Sequence, residues 1–188
     1  MRSLSFSVLA SLVLLTGLTL STPAWAGMTL SGAPKLSFFA QGSPGFLDIE
    51  GVTNTMQVAD DGTTITFTVP MSTVSTGIGL RDDHMNDEFV EVAKFPNAVL
   101  SIKKADIPWP VNVGEAAKGT AAGTFTIHGV TNTTQVTYTA KKSKTGYHVT
   151  ASFPFDISQH GISVPSYLGI TVAPAMHAEV TLDLASAG

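Results

Sequence analysis

The chain is 188 residues long, contains no cysteine, and carries ten Lys and Arg against fourteen Asp and Glu, a net charge of −4 with histidine neutral. Without cysteine, disulfides, thiolate metal sites and a lipid-modified cysteine anchor are excluded. The acidic balance, with no basic run long enough to follow phosphates, argues for no nucleic acid as a partner.

At the start, Arg2 precedes an apolar run from Leu4 to Leu20 interrupted only by Ser, Thr and Gly. Pro23 breaks the run, and Ala24-Trp25-Ala26 offers the small-x-small pattern that signal peptidase reads. Residues 1–26 are therefore expected to be a cleavable export signal, with the mature chain beginning at Gly27. The uninterrupted apolar core is shorter than the roughly 20 residues that span a bilayer. Residues 27–188 suffice for one domain with a real core, expected in the periplasm or outside the cell.

From there a two-residue alternation of apolar and polar side chains, the mark of strands with one buried face, recurs along the chain. Leu36, Phe38 and Ala40 begin it, Leu47 and Ile49 follow, and Ile65, Phe67 and Val69 are set against Thr64, Thr66 and Thr68. The stretch from Leu80 departs from it. Met85, Phe89 and Val92 recur at i, i+4 and i+7, acidic residues crowd the start, and Lys94 and Pro96 follow, which predicts one short helix near residues 81–93. Alternation resumes at Leu100 and Ile102, Phe125 and Ile127, Val136 to Ala140, Tyr147 to Phe155, and Ala178 to Leu184, for about eight strands. Turn signals at Gly42–Gly45, Asp60-Asp61-Gly62 and Lys144-Thr145-Gly146 make neighbours antiparallel. The expected fold is all-β, an eight-stranded antiparallel barrel, because open edges invite aggregation; a two-sheet sandwich is the alternative.

One motif repeats. Gly51-Val52-Thr53-Asn54-Thr55-Met56-Gln57-Val58 returns as Gly129-Val130-Thr131-Asn132-Thr133-Thr134-Gln135-Val136. Tight turns supplied by Gly and Asn in both copies predict two equivalent hairpins and a barrel of two pseudo-symmetric halves.

Catalytic chemistry has no visible foothold. His84, His128, His148, His160 and His177 show no i, i+2 or i, i+4 spacing, and no Gly-x-Ser-x-Gly elbow occurs. His128 and His177 fit ordinary turn and surface roles, and the pairs Asp60-Asp61 and Asp82-Asp83 fit turn and helix-start positions. No catalytic centre, metal site or cofactor is expected, and the chain reads as a binder. Lys141, Lys142 and Lys144 fit a solvated hairpin tip, with transient contact to an anionic membrane surface as the alternative. Arg81 either pins a ligand head group or pairs with nearby carboxylates to fasten the helix.

Three blocks resemble the YceI-like family of lipid- and polyisoprenoid-binding proteins. They are Thr76-Gly77-Ile78-Gly79-Leu80-Arg81-Asp82-Asp83-His84-Met85, continuing through Val92–Ala98; Gly123–Thr131, with its Ile127-His128-Gly129-Val130-Thr131; and His160-Gly161-Ile162 with the closing strand to Leu184. The first strand, Pro34–Gly42, departs from the family pattern. The resemblance implies a lipocalin-like periplasmic barrel enclosing a polyisoprenoid, an isoprenoid quinone or a similar lipid, for carriage, storage or envelope stress protection. An eight-stranded barrel is just wide enough to fill with its own side chains or to hold one slender ligand. The side chains expected to line such a lumen are Phe38, Leu47, Ile49, Phe67, Leu100, Ile102, Phe125, Ile127, Val149, Phe153 and Phe155, and the same residues would form a dry core if it is solid. In that second case the barrel is an interaction module gripping a partner protein through its rim loops, with Trp109 exposed between Pro108 and Pro110 as an anchor. The oligomeric state stays open, a homodimer included.

Overall fold

A computed structural model describes residues 27–43, 47–167 and 170–185. The expected export signal and residues 44–46 of the first predicted turn lie outside the described residues. In chain order the strands are β1 (Thr29–Ser43), β2 (Leu47–Thr53), β3 (Gln57–Asp60), β4 (Thr64–Pro70), β5 (Asn97–Lys103) and β6 (Ala116–Ile127). There follow β7 (Val130–Lys142), β8 (Gly146–Asp156), β9 (Ser166–Tyr167), β10 (Ile170–Val172) and β11 (Ala175–Ala185). No helix among the described residues is long and apolar enough to cross a membrane.

All the strand pairs are antiparallel and belong to one curled sheet. β1 pairs with β11 along Thr29–Phe39 and with β2 along Leu36–Gly42. From β11 the ladder runs through β8, β7, β6, β5 and β4 to β3. Because β2 and β3 are consecutive, the segment 47–60 bonds first to β1 and then to β4, and the chain itself completes the ring. β10 prolongs the edge of β11 along β1 at Gly42 and Ser43. With β2–β3 and β10–β11 each taken as one interrupted stave, and the two-residue β9 set aside, the wall is the expected eight-stranded, lipocalin-like barrel.

One end of the ring is only half closed. Among the described residues β2 forms no ladder with β4; a bridge between Val52 and Ser75, with N–H···O distances of 2.8 and 2.9 Å, joins it instead to the segment after β4. That segment, residues 71–90, spans the gap and carries the predicted helix as α1 (Gly79–His84) and a π-helical turn (Met85–Phe89). The helix starts before residue 81 and stops short of 93. Val90 N–H reaches back five residues to the Met85 carbonyl at 2.8 Å, and Glu91 then turns left-handed at φ 49°, which breaks the helical ladder. Met85, Phe89 and Val92 do face inward, packed against the core.

The alternation read from the sequence becomes the core. Ile65, Val136 and Leu184 are almost wholly buried, each such side chain contributing about 1.5–3 kcal/mol. Gly146 opens β8 where no other residue fits, since a Cβ there would lie 1.7 Å from the Leu184 carbonyl oxygen across the β8–β11 ladder. The repeated motif, in contrast, folds two ways. Gly129 follows His128 in a tight hairpin, with φ of 74° and 53° and Ile127 paired to Val130, a turn that needs positive φ at both central residues. Gly51 is extended, paired with Phe38, and its missing Cβ makes room for Val74, whose Cγ1 would lie 3.1 Å away. The first copy is thus a break within a stave, and the expected pair of equivalent hairpins is not formed: one glycine serves a turn, the other a close approach.

Candidate functional site

The inward faces enclose two spaces of unequal size. The smaller, about 60 Å³, is walled by strands β1, β4 to β8 and β11 together with Ile107 and Trp109. The larger, about 440 Å³, lies between β1, β2 and the covering segment 71–90, with further walls from Ile127, Phe155, Ile157, Ile162 and Met176. The barrel is therefore neither wholly solid nor wholly hollow.

The residues singled out in the sequence divide between these spaces. Phe67, Leu100, Ile102, Phe125, Val149 and Phe153 line the small one, Leu47, Ile49, Ile127 and Phe155 line the large one, and Phe38 lines both. The boundary is aromatic. Phe38 meets Phe155 edge-on at 6.1 Å, and Phe125 contacts Phe155 at 5.1 Å and Phe153 at 5.0 Å between ring centroids. Such rings interlock in tilted pairs that leave little free volume. Of the larger wall, the predicted set contains only Phe38, Leu47, Ile49, Ile127 and Phe155; it lacks Met71, Val74, Met85 and Phe89 because these lie in the covering segment rather than on an alternating strand. The helical spacing of Met85 and Phe89 was the available signal.

Polar side chains reach the large cavity from Thr76, Arg81, His84 and Glu88 of the covering segment and from Ser166. Ile78 and Leu80 also line it and are 54% and 64% exposed, which places them at its rim. Arg81 donates through Nε to the Thr76 hydroxyl at 2.7 Å and through a terminal nitrogen to the Thr76 carbonyl at 2.7 Å. Among the described residues the direct carboxylate pairing considered for Arg81 is not formed. Asp82 instead accepts from the Ser75 hydroxyl at 2.7 Å, the Thr76 amide at 2.7 Å and the Thr76 hydroxyl. Burial raises the Asp82 pKa, but these hydrogen bonds and the nearby Arg81 charge together hold it below the usual carboxylate value.

Trp109 does not stand out into solvent. Its ring packs on Tyr147 with centroids 4.8 Å apart, its indole N–H donates to the Lys104 carbonyl at 3.3 Å, and its face walls the small space. These contacts hold the ring inward as a plug, contrary to the exposed anchor expected.

A second polar cluster ties together the three sequence blocks. His128 bonds Glu91 at 3.0 Å through Nε2 and the His160 carbonyl at 3.2 Å through Nδ1. His160, 2% exposed, uses Nδ1 to reach the Val130 carbonyl at 2.9 Å and rests edge-on against Phe125. The Asn132 amide donates to the Gln159 carbonyl at 3.0 Å. Hydrogen bonds from Lys94, then His128, hold the Glu91 carboxyl below its ordinary pKa. His128 is thus more than a turn residue, and the role of His160 was not foreseen. The sequence did carry a signal in its two His-Gly pairs, whose glycines both take positive φ, 74° and 72°. The cluster staples the 91–95 loop to the β6–β7 hairpin and the turn after β8. Among the described residues no group of three or more His, Asp or Glu gathers as a metal site would require.

Comparison with solved structures finds the same fold at low sequence identity. A polyisoprenoid-binding domain from Saccharophagus degradans superposes with a TM-score of 0.70 at 12% identity, covering 86% of this chain and 99% of that one. BcnA from Burkholderia cenocepacia gives 0.62 at 16% identity over 81% and 96%, and the YceI protein of Campylobacter jejuni 0.51 at 13% over 100% and 94%. Sequence comparison with the curated proteins returns no match. The YceI-like domain matches residues 34–186, from the inward-facing half of β1 to the end of β11, and the chain belongs to that family.

Proposed function

We propose that this protein is a periplasmic binder of one long-chain amphiphile, an isoprenoid chain or a similar lipid, carried or stored in the large cavity without chemical change. The observation that carries this reading is the hollow half of the barrel, about 440 Å³ walled chiefly by aliphatic and aromatic side chains. That volume falls within the range of about 300–1,000 Å³ usual for small-molecule sites. Each methylene moved from water onto such a wall contributes about 0.8 kcal/mol, offset in part by the ordering of a flexible chain. Phe38, Leu47, Ile49, Ile127 and Phe155 are placed against the ligand. Phe67, Leu100, Ile102, Phe125, Val149 and Phe153 form the packed floor beneath it.

Family membership and the name of the Saccharophagus domain support the same ligand class. The expected export signal supports the periplasmic location, and the exposed Ile78 and Leu80 suit transient contact with a membrane surface where such a chain is collected. The rival reading, a solid module gripping a partner through Trp109, has lost its motive with that ring packed on Tyr147.

The test is to express the full chain with its own N-terminal segment, recover it from the periplasmic fraction, and examine it by native mass spectrometry. A mature N-terminus at Gly27 and a co-purifying amphiphile are expected. Protein that is empty on isolation, and that ignores added geranylgeraniol and prenyl quinone, refutes the reading.

A further inference from the structure

Arg81 is a guanidinium set into the wall of an otherwise largely apolar cavity, oriented by the chain without a direct ion pair. Two of its nitrogens are engaged by Thr76, which leaves three of the five N–H donors of an arginine without a protein acceptor in the described residues. No carboxylate oxygen among the described residues lies within 4.0 Å of it. Asp82, next in sequence, offers its charge at one remove through the Thr76 hydroxyl, but both its oxygens are taken by Ser75 and Thr76 and neither accepts directly from the guanidinium. Glu88 lines the same cavity and His84 stands between them on the covering segment, neither within ion-pair distance of Arg81.

With the cavity full of water this charge is solvated. Once a hydrocarbon chain enters, that water is displaced, and arginine cannot shed its proton to escape. A neutral head group leaves a desolvated guanidinium with Asp82 as its indirect counter-charge; an acidic head group supplies a direct one and fills the open fork of the guanidinium.

We infer that the rim of the large cavity is an anion subsite and that the ligand is an amphiphile with an acidic head, a phosphate or a carboxylate, bound by Arg81. This rests on the lipid-binding reading above and narrows it: the tail gives affinity along the apolar wall, and Arg81 selects the head. Thr76 is a positioning residue, since it touches the guanidinium and not the head.

The experiment uses delipidated full-chain protein, with geranylgeranyl phosphate, geranylgeraniol and inorganic phosphate as probes in calorimetric titrations. The phosphate is expected to bind at least tenfold more tightly than the alcohol, with an advantage that shrinks as salt is raised, and inorganic phosphate alone to bind negligibly. In Arg81→Gln the advantage disappears because affinity for the phosphate falls and affinity for the alcohol is equal or higher, the latter also reporting an intact lumen; Arg81→Lys retains part of the advantage. Equal binding of the two lipids by the unaltered protein, or an advantage that survives in Arg81→Gln, overturns the inference and leaves the lipid reading standing. Inorganic phosphate binding as tightly as the lipid phosphate overturns the head-group assignment in favour of a free-anion site. Failure of both lipids to bind removes the inference and the lipid reading together.

Discussion

Asp60 offers the sharpest test of how the narrow end of the barrel is held. Its side chain is fully shielded from solvent, yet it is a carboxylate. Oδ2 accepts from the Met28 amide at 2.8 Å and the Lys104 ammonium at 2.6 Å, and Oδ1 accepts from the Gly62 amide at 2.8 Å. One side chain thereby joins the start of the domain, the β3–β4 turn and the segment after β5. Asp60→Asn keeps the size but turns one acceptor oxygen into a donor. Either amide orientation then leaves the Gly62 amide, or the Met28 amide and Lys104 together, without an acceptor, at about 1–3 kcal/mol for each unsatisfied buried group. Lys104 is 28% exposed and can turn to water, so the lost ion pair adds only modestly, and the total expected is about 3 kcal/mol at neutral pH. Burial pushes the Asp60 pKa up, but Lys104, the Met28 and Gly62 amides, and the lysine charge outweigh it and hold the value below the ordinary one. A carboxylate depressed in the folded state stabilises fully above its unfolded pKa, and that stabilisation fades as pH falls through the folded value. Urea unfolding of both proteins from neutral pH into the acid range is the assay. The gap between unaltered protein and Asp60→Asn should be widest near neutrality and narrow steadily as acid is added. A gap below about 1 kcal/mol at neutral pH, or one that is constant with pH, refutes the reasoning.

Phe38→Ala removes the ring that borders both spaces, so the cavities should merge; native mass spectrometry with a ladder of polyprenyl alcohols should then find longer chains retained, at about 3–5 kcal/mol of lost stability. An unchanged length preference refutes the partition. Gly146→Ala drives a Cβ into the Leu184 carbonyl, and a large drop in melting temperature or loss of soluble protein is expected; a melting temperature within a degree or so of the unaltered protein rules out the tight β8–β11 approach. His160→Leu strands the Val130 carbonyl and should lower stability by about 2 kcal/mol in urea, with hydrogen exchange faster in the 128–132 turn than elsewhere.

The barrel was legible because its staves alternate cleanly, as in Tyr147, Val149 and Phe153, and a period of two leaves only one face to bury. What the alternation could not report was volume. Phe67 and Ile49 read alike as inward residues of neighbouring staves, yet one faces the space of about 60 Å³ and the other that of about 440 Å³, and the difference depends on which side chains meet across the lumen. The paired Gly-Val-Thr-Asn motifs misled because a glycine marks an unusual demand without saying which: positive φ at Gly129, a near neighbour at Gly51. Trp109 misled because prolines on both sides signal a loop, whereas the direction its ring takes is settled by Tyr147 from another strand. The role of His160 was not foreseen, although its block was marked, because its partners Val130 and Asn132 lie far from it in the chain.

The seam between β2 and β4 has a kinetic consequence. Most barrels must rupture a full ladder to part their walls, whereas here the covering segment is hydrogen-bonded to β2 by one backbone bridge, Val52 with Ser75, and one hydroxyl pair, Thr53 with Thr73. Lifting residues 75–89 leaves the strand ladders paired and the buried Met71, Val74 and Val90 in place, so an opening there is expected to cost less than unfolding and to let a guest exchange. The amides of Val52 and Ser75 serve as the latch, and their hydrogen-exchange rates, set against those of β7 and β8, would time the door.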